Sequence, residues 1–152
     1  MKVDRENDSL ERRYFQDLSR YPLLGADEER ALAREAQRGD AEARKRLILG
    51  NLKLVLTIAR GFSMSGMPFL DLVEEGNLGL IKAVGRFDPE KGFRFSTYAS
   101  WWIRQAIVRA IANQSKTIRI PIHIFHLTMR YISLEQTPEG GRLAEDEMAA
   151  RL

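Results

Sequence analysis

The sequence contains no cysteine, which removes disulfides, thiolate nucleophiles and Cys-ligated zinc and fits a reducing compartment. Histidine is almost as scarce. The two present, His123 and His126, stand at helical spacing, but no third ligand accompanies them and no metal site is expected. Only 11 Gly and 5 Pro occur in 152 residues, too few for a low-complexity chain. No apolar run approaches the length of a membrane span, and the opening Met1-Lys2-Val3-Asp4-Arg5-Glu6 is too charged for a signal-peptide core. The expected location is therefore the cytoplasm, with no membrane partner. A Gly-rich phosphate loop and a His–carboxylate pair at catalytic spacing are both missing, so neither an enzyme nor a cofactor is expected.

What remains is an ordinary globular composition, 44% hydrophobic and 30% charged, at a length suited to one domain with a proper core. The net charge of +3 hides an uneven distribution. The N-terminal third mixes both signs, as solvated helix faces do. Lys82 to Arg119 carries eight Lys or Arg against Asp88 and Glu90, and the tail beyond it turns acidic. A basic stretch of this kind suits a polyanion, although a solvated helix face gives the same count.

Helix punctuation is dense. Leu10, Tyr14 and Leu18 recur at helical spacing until Tyr21-Pro22 ends the first helix. Gly25 stands where a cap is wanted, Asp27-Glu28-Glu29 favour the positive end of a helix dipole, and Gly39-Asp40 close that helix and cap the next. Leu47, Ile48, Leu52, Leu54, Val55, Leu56 and Ile58 form an apolar block rich enough for a core helix, with a break or re-capping expected at Gly50-Asn51. Phe62 to Met67 reads as a loop, and Pro68 opens a helix lined by Leu70, Val73, Leu80, Ile81 and Val84. After a turn at Asp88 to Gly92, Ser96 is expected to cap a helix reaching about Asn113. An extended Thr117-Ile118-Arg119-Ile120 leads to a short helix from Pro121 through Tyr131, followed by a linker at Thr137 to Gly141 and an acidic tail too poor in apolar residues to fold by itself. No period-two strand pattern persists, so the expected fold class is all-α: a compact helical bundle with a flexible C-terminal tail.

The helix after Ser96 is the most informative. Phe93, Phe95, Tyr98, Trp101 and Trp102 crowd together among Lys91, Arg94, Arg104 and Arg109. At about 100° per residue, Ile103, Ala106, Ile107, Ala110 and Ile111 share one side, whereas Tyr98, Trp101, Trp102, Gln105, Val108 and Arg109 share the other. A helix with an aliphatic core face has no packing need for aromatics opposite it, so that face marks a binding surface. Rings interleaved with cations suit unpaired nucleic acid, where bases stack and phosphates are neutralised; a protein partner fits the same composition. Gln105 adds an amide able to read a base edge.

Three segments resemble the sigma-70 family of transcription initiation factors. Asp71-Leu72-Val73-Glu74-Glu75-Gly76-Asn77-Leu78-Gly79-Leu80 is similar to its polymerase-binding helix, Gly92 to Gln105 to its promoter-melting helix, and Thr117 to His123 to the segment that follows. The resemblance spans roughly Asp8 to Tyr131. It implies a region 1.2-like helix over 1–25, a region 2 domain over 26–116, the start of a region 3-like helix over 117–132 and a disordered acidic tail over 133–152. It further implies that Asp71, Glu74, Glu75 and Asn77 face the β′ coiled coil of core RNA polymerase. Tyr98 would stack on the adenine flipped from the second position of the minus-ten element, in a pocket shaped by Phe87, Asp88, Lys91 and Phe93. Trp101 and Trp102 would wedge at the fork, Arg94, Thr97 and Arg104 would hold phosphates of the non-template strand, and Gln105 would read the upstream-most base pair. Asn51 and Leu54 match a second flipped-base pocket further downstream, and His123 matches a contact upstream of the element. Independently of the family, Asp71, Glu74 and Glu75 form one acidic patch at three- and four-residue spacing.

The departures matter as well. Val108 replaces a hydroxyl residue that cooperates with Gln105 in principal factors, and His126 replaces an acidic one. Tyr21-Pro22-Leu23-Leu24 with Trp101-Trp102 is more similar to stationary-phase or alternative factors, and the chain is expected to stop before the domain that reads the minus-35 element. The function implied is promoter recognition and melting, with core polymerase and promoter DNA as partners and an anti-sigma factor as a further candidate. Two alternatives stand beside it: a regulator that occupies the polymerase without initiating, and a general single-strand binder.

Overall fold

The structure is a computed structural model in which residues 13–114 are described. The expectations for Leu10, for His123 and His126, for the helix from Pro121 and for the tail fall outside them. The chain divides into two compact units, 1–110 and 111–152. Of the second, the described residues are 111–114, the last turn of a helix.

Among the described residues every regular element is helical. Helix α1 covers 13–19, α2 Ala26–Gln37, α3 Ala41–Arg60, α4 Phe69–Val84 and α5 Phe95–Gln114, with single 3₁₀ turns at Ser63–Ser65 and Pro89–Lys91. The punctuation acts as expected. Gly39, at φ +97°, closes α2, with its N–H bonded to Ala36 O and that of Asp40 to Glu35 O, a pairing that satisfies the last carbonyls of the helix. The Asp40 carboxylate then accepts the N–H groups of Glu42 and Ala43 at 2.8 and 3.0 Å and starts α3.

Two boundaries differ from expectation. Helix α3 runs through Gly50-Asn51 without a break. Gly50 is buried against the Leu24 side chain, and the Asn51 amide donates to Leu47 O at 2.8 Å along the helix, so neither competes with the backbone ladder. Packing outweighs the roughly 1 kcal/mol propensity cost of the glycine. Helix α5 begins at Phe95, which places Ser96 inside its first turn; the Ser96 carbonyl accepts from the Ser100 hydroxyl at 2.7 Å. A third difference is Ile81, expected to line α4 inward but 38% exposed.

Helix α3 is the centre of the bundle and packs against both α2 and α4. Leu47 and Val55 of α3, Leu72 and Leu80 of α4, and Phe95, Ile103 and Ile107 of α5 are fully buried. Helix α1 docks through Phe15, stacked on Phe69 at 6.2 Å with the Arg60 guanidinium 5.0 Å from its ring centre. Helices α4 and α5 meet at glycine: a Cβ on Gly79 would stand 2.6 Å from the Trp102 carbonyl oxygen, and one on Gly76 would stand 3.3 Å from Ile107 of α5 and 2.6 Å from Val55 of α3. This contact sets the height at which α5 presents its outer face.

Gly79→Ala should therefore force α4 and α5 apart and cost about 1–3 kcal/mol. Gly85→Ala, at φ −71° with only ordinary contacts around its position, should be neutral or stabilising by up to about 1 kcal/mol. Chemical denaturation midpoints of the two variants check both expectations.

Candidate nucleic-acid interface

The aliphatic and aromatic faces of α5 separate as their angles require. Ile103, Ile107 and Ala110 are buried and Ala106 is half-buried, while Trp101 is 58% exposed and Thr97, Arg104, Gln105 and Arg109 are exposed. Tyr98, Trp102 and Val108 are half-buried. The rings form a graded series from core to solvent. Phe95 is fully buried, Phe87 meets it edge-on at 5.1 Å, Tyr98 leans on Phe87 at 5.7 Å, Trp102 follows at 6.4 Å, and Trp101 stands perpendicular to Trp102 at 4.9 Å. Each ring is braced by the one beneath it, so the outer ones are held in place before any ligand arrives. The Arg86 guanidinium lies 4.8 Å from the Trp102 ring centre, and the Tyr98 hydroxyl donates to Arg86 O in a long 3.4 Å bond. The Trp102 indole N–H is buried without a protein acceptor.

Of the residues expected around Tyr98, Phe87 is only 4% exposed and forms the floor beneath the ring. Asp88 is half-buried and accepts from Glu90 N at 3.0 Å, with Lys91 4.0 Å away. Gly92, at φ +74°, turns the chain so that Phe93 projects, 67% exposed. The turn is also tied to α2: Gln37 donates to Phe87 O at 2.9 Å, and Arg34 reaches both carboxylate oxygens of Glu90 at 2.6 and 3.2 Å. That pairing holds the Glu90 carboxyl below its ordinary range and raises the Arg34 guanidinium, the hydrogen bond being the larger cause.

Asn51 and Leu54 come together in an open cleft of about 440 Å³, which they line with Leu23, Leu24, Glu29, Gly50, Lys53, Thr57, Arg94 and Ser96. Arg94 does not point freely at solvent. Its Nε and terminal nitrogen bind both oxygens of Glu29 at 2.9 and 3.0 Å, and Glu29 is 5% exposed. The hydrogen bond raises the Arg94 pKa, and the pair makes the residue a cleft wall. In the sequence Glu29 shows only as a helix-dipole residue, because a partner 65 positions away leaves no trace in local spacing.

On α4, Asp71 and Glu74 are exposed and Glu75 and Asn77 half-buried, and the Asn77 amide donates to the Tyr14 hydroxyl at 3.4 Å. Leu78, 53% exposed, and Ile81 add an apolar strip beside these acids. Among the described residues no group of acidic or His side chains could hold a metal ion, and no helix is long and apolar enough to cross a membrane.

A family model described as Sigma-70 region 2 matches residues 47–117, and one described as Sigma-70 factor, region 1.2, matches residues 12–42, taking in α1 and α2. The chain is 60% identical over 111 residues to the RNA polymerase sigma factor RpoS of Coxiella burnetii, an overlap covering 73% of this chain and 32% of that protein. It is 54% identical over 144 residues to the sigma factor SigA of a Bacillus species, covering 93% and 38%. Against the SigA of Listeria monocytogenes it is 53% identical over 126 residues, covering 83% and 34%. The chain thus spans about a third of the length of these curated relatives.

The ring series makes a stability prediction. Trp101→Ala should change unfolding free energy by no more than about 0.5 kcal/mol, as for an exposed residue. Trp102→Ala removes a ring wedged between Tyr98 and Arg86 and should cost about 2 kcal/mol. Parallel denaturation curves separate the two.

Proposed function

The chain belongs to the sigma-70 family, of which it carries region 1.2 and region 2, and on that premise we propose that it docks on core RNA polymerase through α4 and captures the melted non-template strand of the minus-ten element on α5. The observation that carries this reading is the graded ring series, which runs through the half-buried Tyr98 and Trp102 to the exposed Trp101 on a face flanked by Lys91, Arg104 and Arg109.

Flipping a base out of duplex DNA costs a few kcal/mol of stacking and pairing. A rigid aromatic site recovers about 1–3 kcal/mol per stacked base without any chemistry on it, so melting proceeds without ATP and the protein acts as a non-catalytic factor in the cytoplasm. Tyr98 takes the second-position adenine, standing on Phe87 with Asp88, Lys91 and Phe93 around it. Trp101 and Trp102 support the upstream fork. Thr97, Arg104 and Arg109 are free to meet phosphate, whereas Arg94 serves the cleft in which Asn51 and Leu54 receive a second base. Gln105 reads the first base pair without a hydroxyl partner at Val108. On the other side, Asp71, Glu74, Glu75 and Asn77 receive the basic β′ coiled coil, and the Leu78–Ile81 strip supplies apolar area that charges alone would lack.

Binding of a labelled non-template strand in the presence of core polymerase, at one stated salt concentration, tests this. Replacing the second-position adenine by cytosine should weaken binding about tenfold or more, and Tyr98→Ala should abolish the difference. Equal binding of the two strands by the wild-type protein would leave only a general single-strand binder.

A further inference from the structure

The segment from Phe87 to Arg94 joins the two base sites: Phe87 floors the Tyr98 ring at one end and Arg94 walls the Asn51 cleft at the other. Apart from the single turn at Pro89–Lys91 it has no regular structure. Three side chains of α2 hold it, in reverse order along the two segments. Gln37 bonds Phe87 O at 2.9 Å, Arg34 clasps Glu90 at 2.6 Å, and Glu29 clasps Arg94 at 2.9 Å. The segment is therefore laid antiparallel along the helix and pinned at its start, middle and end.

We infer that α2 is a splint that fixes the distance between the two base sites, with Gln37, Arg34 and Glu29 as its positioning residues. This rests on the base-capture reading above. An α-helix is the stiffest local ruler a chain can form, and the eight helical steps from Glu29 to Gln37 span about 12 Å. The Phe87–Phe95 ring contact, 5.1 Å in the core, holds the ends of the irregular segment near each other, and the pins fix the backbone and the Arg94 guanidinium between them; without the pins the spacing of the two walls would vary. A fixed spacing matters because two bases of one strand bind as linked ligands: the second binds at high effective concentration only when the sites match the span of the strand. No pin is dispensable to the geometry, but they differ in kind. Glu29 is buried with its partner half-exposed, the Gln37 bond is half-buried, and the Arg34–Glu90 pair is exposed.

The test uses the whole chain with core polymerase and two non-template strands, one of native spacing and one with a single nucleotide inserted between the two flipped positions. Wild-type protein should bind the inserted strand about tenfold more weakly. Gln37→Glu keeps size and loses the donor to Phe87 O, so its penalty for the insertion should shrink to within about twofold at unchanged polymerase affinity. Gln37→Lys restores a donor of similar reach and should restore the penalty. Arg34→Gln, which releases the middle pin, should shift the penalty in the same direction as Gln37→Glu. An insertion penalty identical in wild type, Gln37→Glu and Arg34→Gln would overturn the splint while leaving base capture intact. Wild-type protein indifferent both to the insertion and to the adenine-to-cytosine change would overturn both.

Discussion

Helices α4 and α5 approach backbone to backbone at Gly79, where a methyl group would collide with the Trp102 carbonyl and the Ile103 backbone. Because the two backbones come this near, Ile103 and Ile107 are pressed fully into the core and the remaining arc of α5 has nowhere to go but outward. The rings on that arc are then supported by Phe87 and Phe95 below and, at Trp102, by the Arg86 guanidinium. The outward side of α4, carrying Asp71, Glu74 and Leu78, is fixed by the same contact. One helix pair thus holds the proposed polymerase surface and the proposed DNA surface in a constant relation, through backbone packing and without a flexible joint.

Much of this was legible in the sequence because it is local or periodic. The Gly39-Asp40 junction, the aliphatic face of α5 and the core character of α3 each follow from residues within a turn or two of one another. The misread break at Gly50-Asn51 shows the limit of that logic: a glycine in a helix looks like punctuation until the Leu24 side chain that fills its space is known. Ile81 fails for a related reason, since an apolar residue at the edge of a buried stripe tilts either way according to its neighbours.

The contacts that shape the candidate sites were the least legible. Gln37 with Phe87, Arg34 with Glu90 and Glu29 with Arg94 join residues 50 to 65 positions apart and obey no helical period. They also change what single residues can do. Arg94, which the family resemblance offers as a phosphate contact, is engaged by a carboxylate that would be left buried and unpaired if the guanidinium departed. Arg104 and Arg109, on the exposed arc, carry no such obligation among the contacts described. The basic stretch therefore divides into cations that build the sites and cations that can meet the strand.

The proposed melting depends on the capture of one base by the Tyr98 ring. The most direct measurement is the affinity, with core polymerase present, of non-template strands in which a single base is deleted to an abasic sugar at each position of the minus-ten element in turn. Loss concentrated at the second position and at the downstream flipped position, of about 1–3 kcal/mol each and absent at the second position in Tyr98→Ala, is the predicted pattern. A small, uniform loss along the strand, unchanged by Tyr98→Ala, would contradict it.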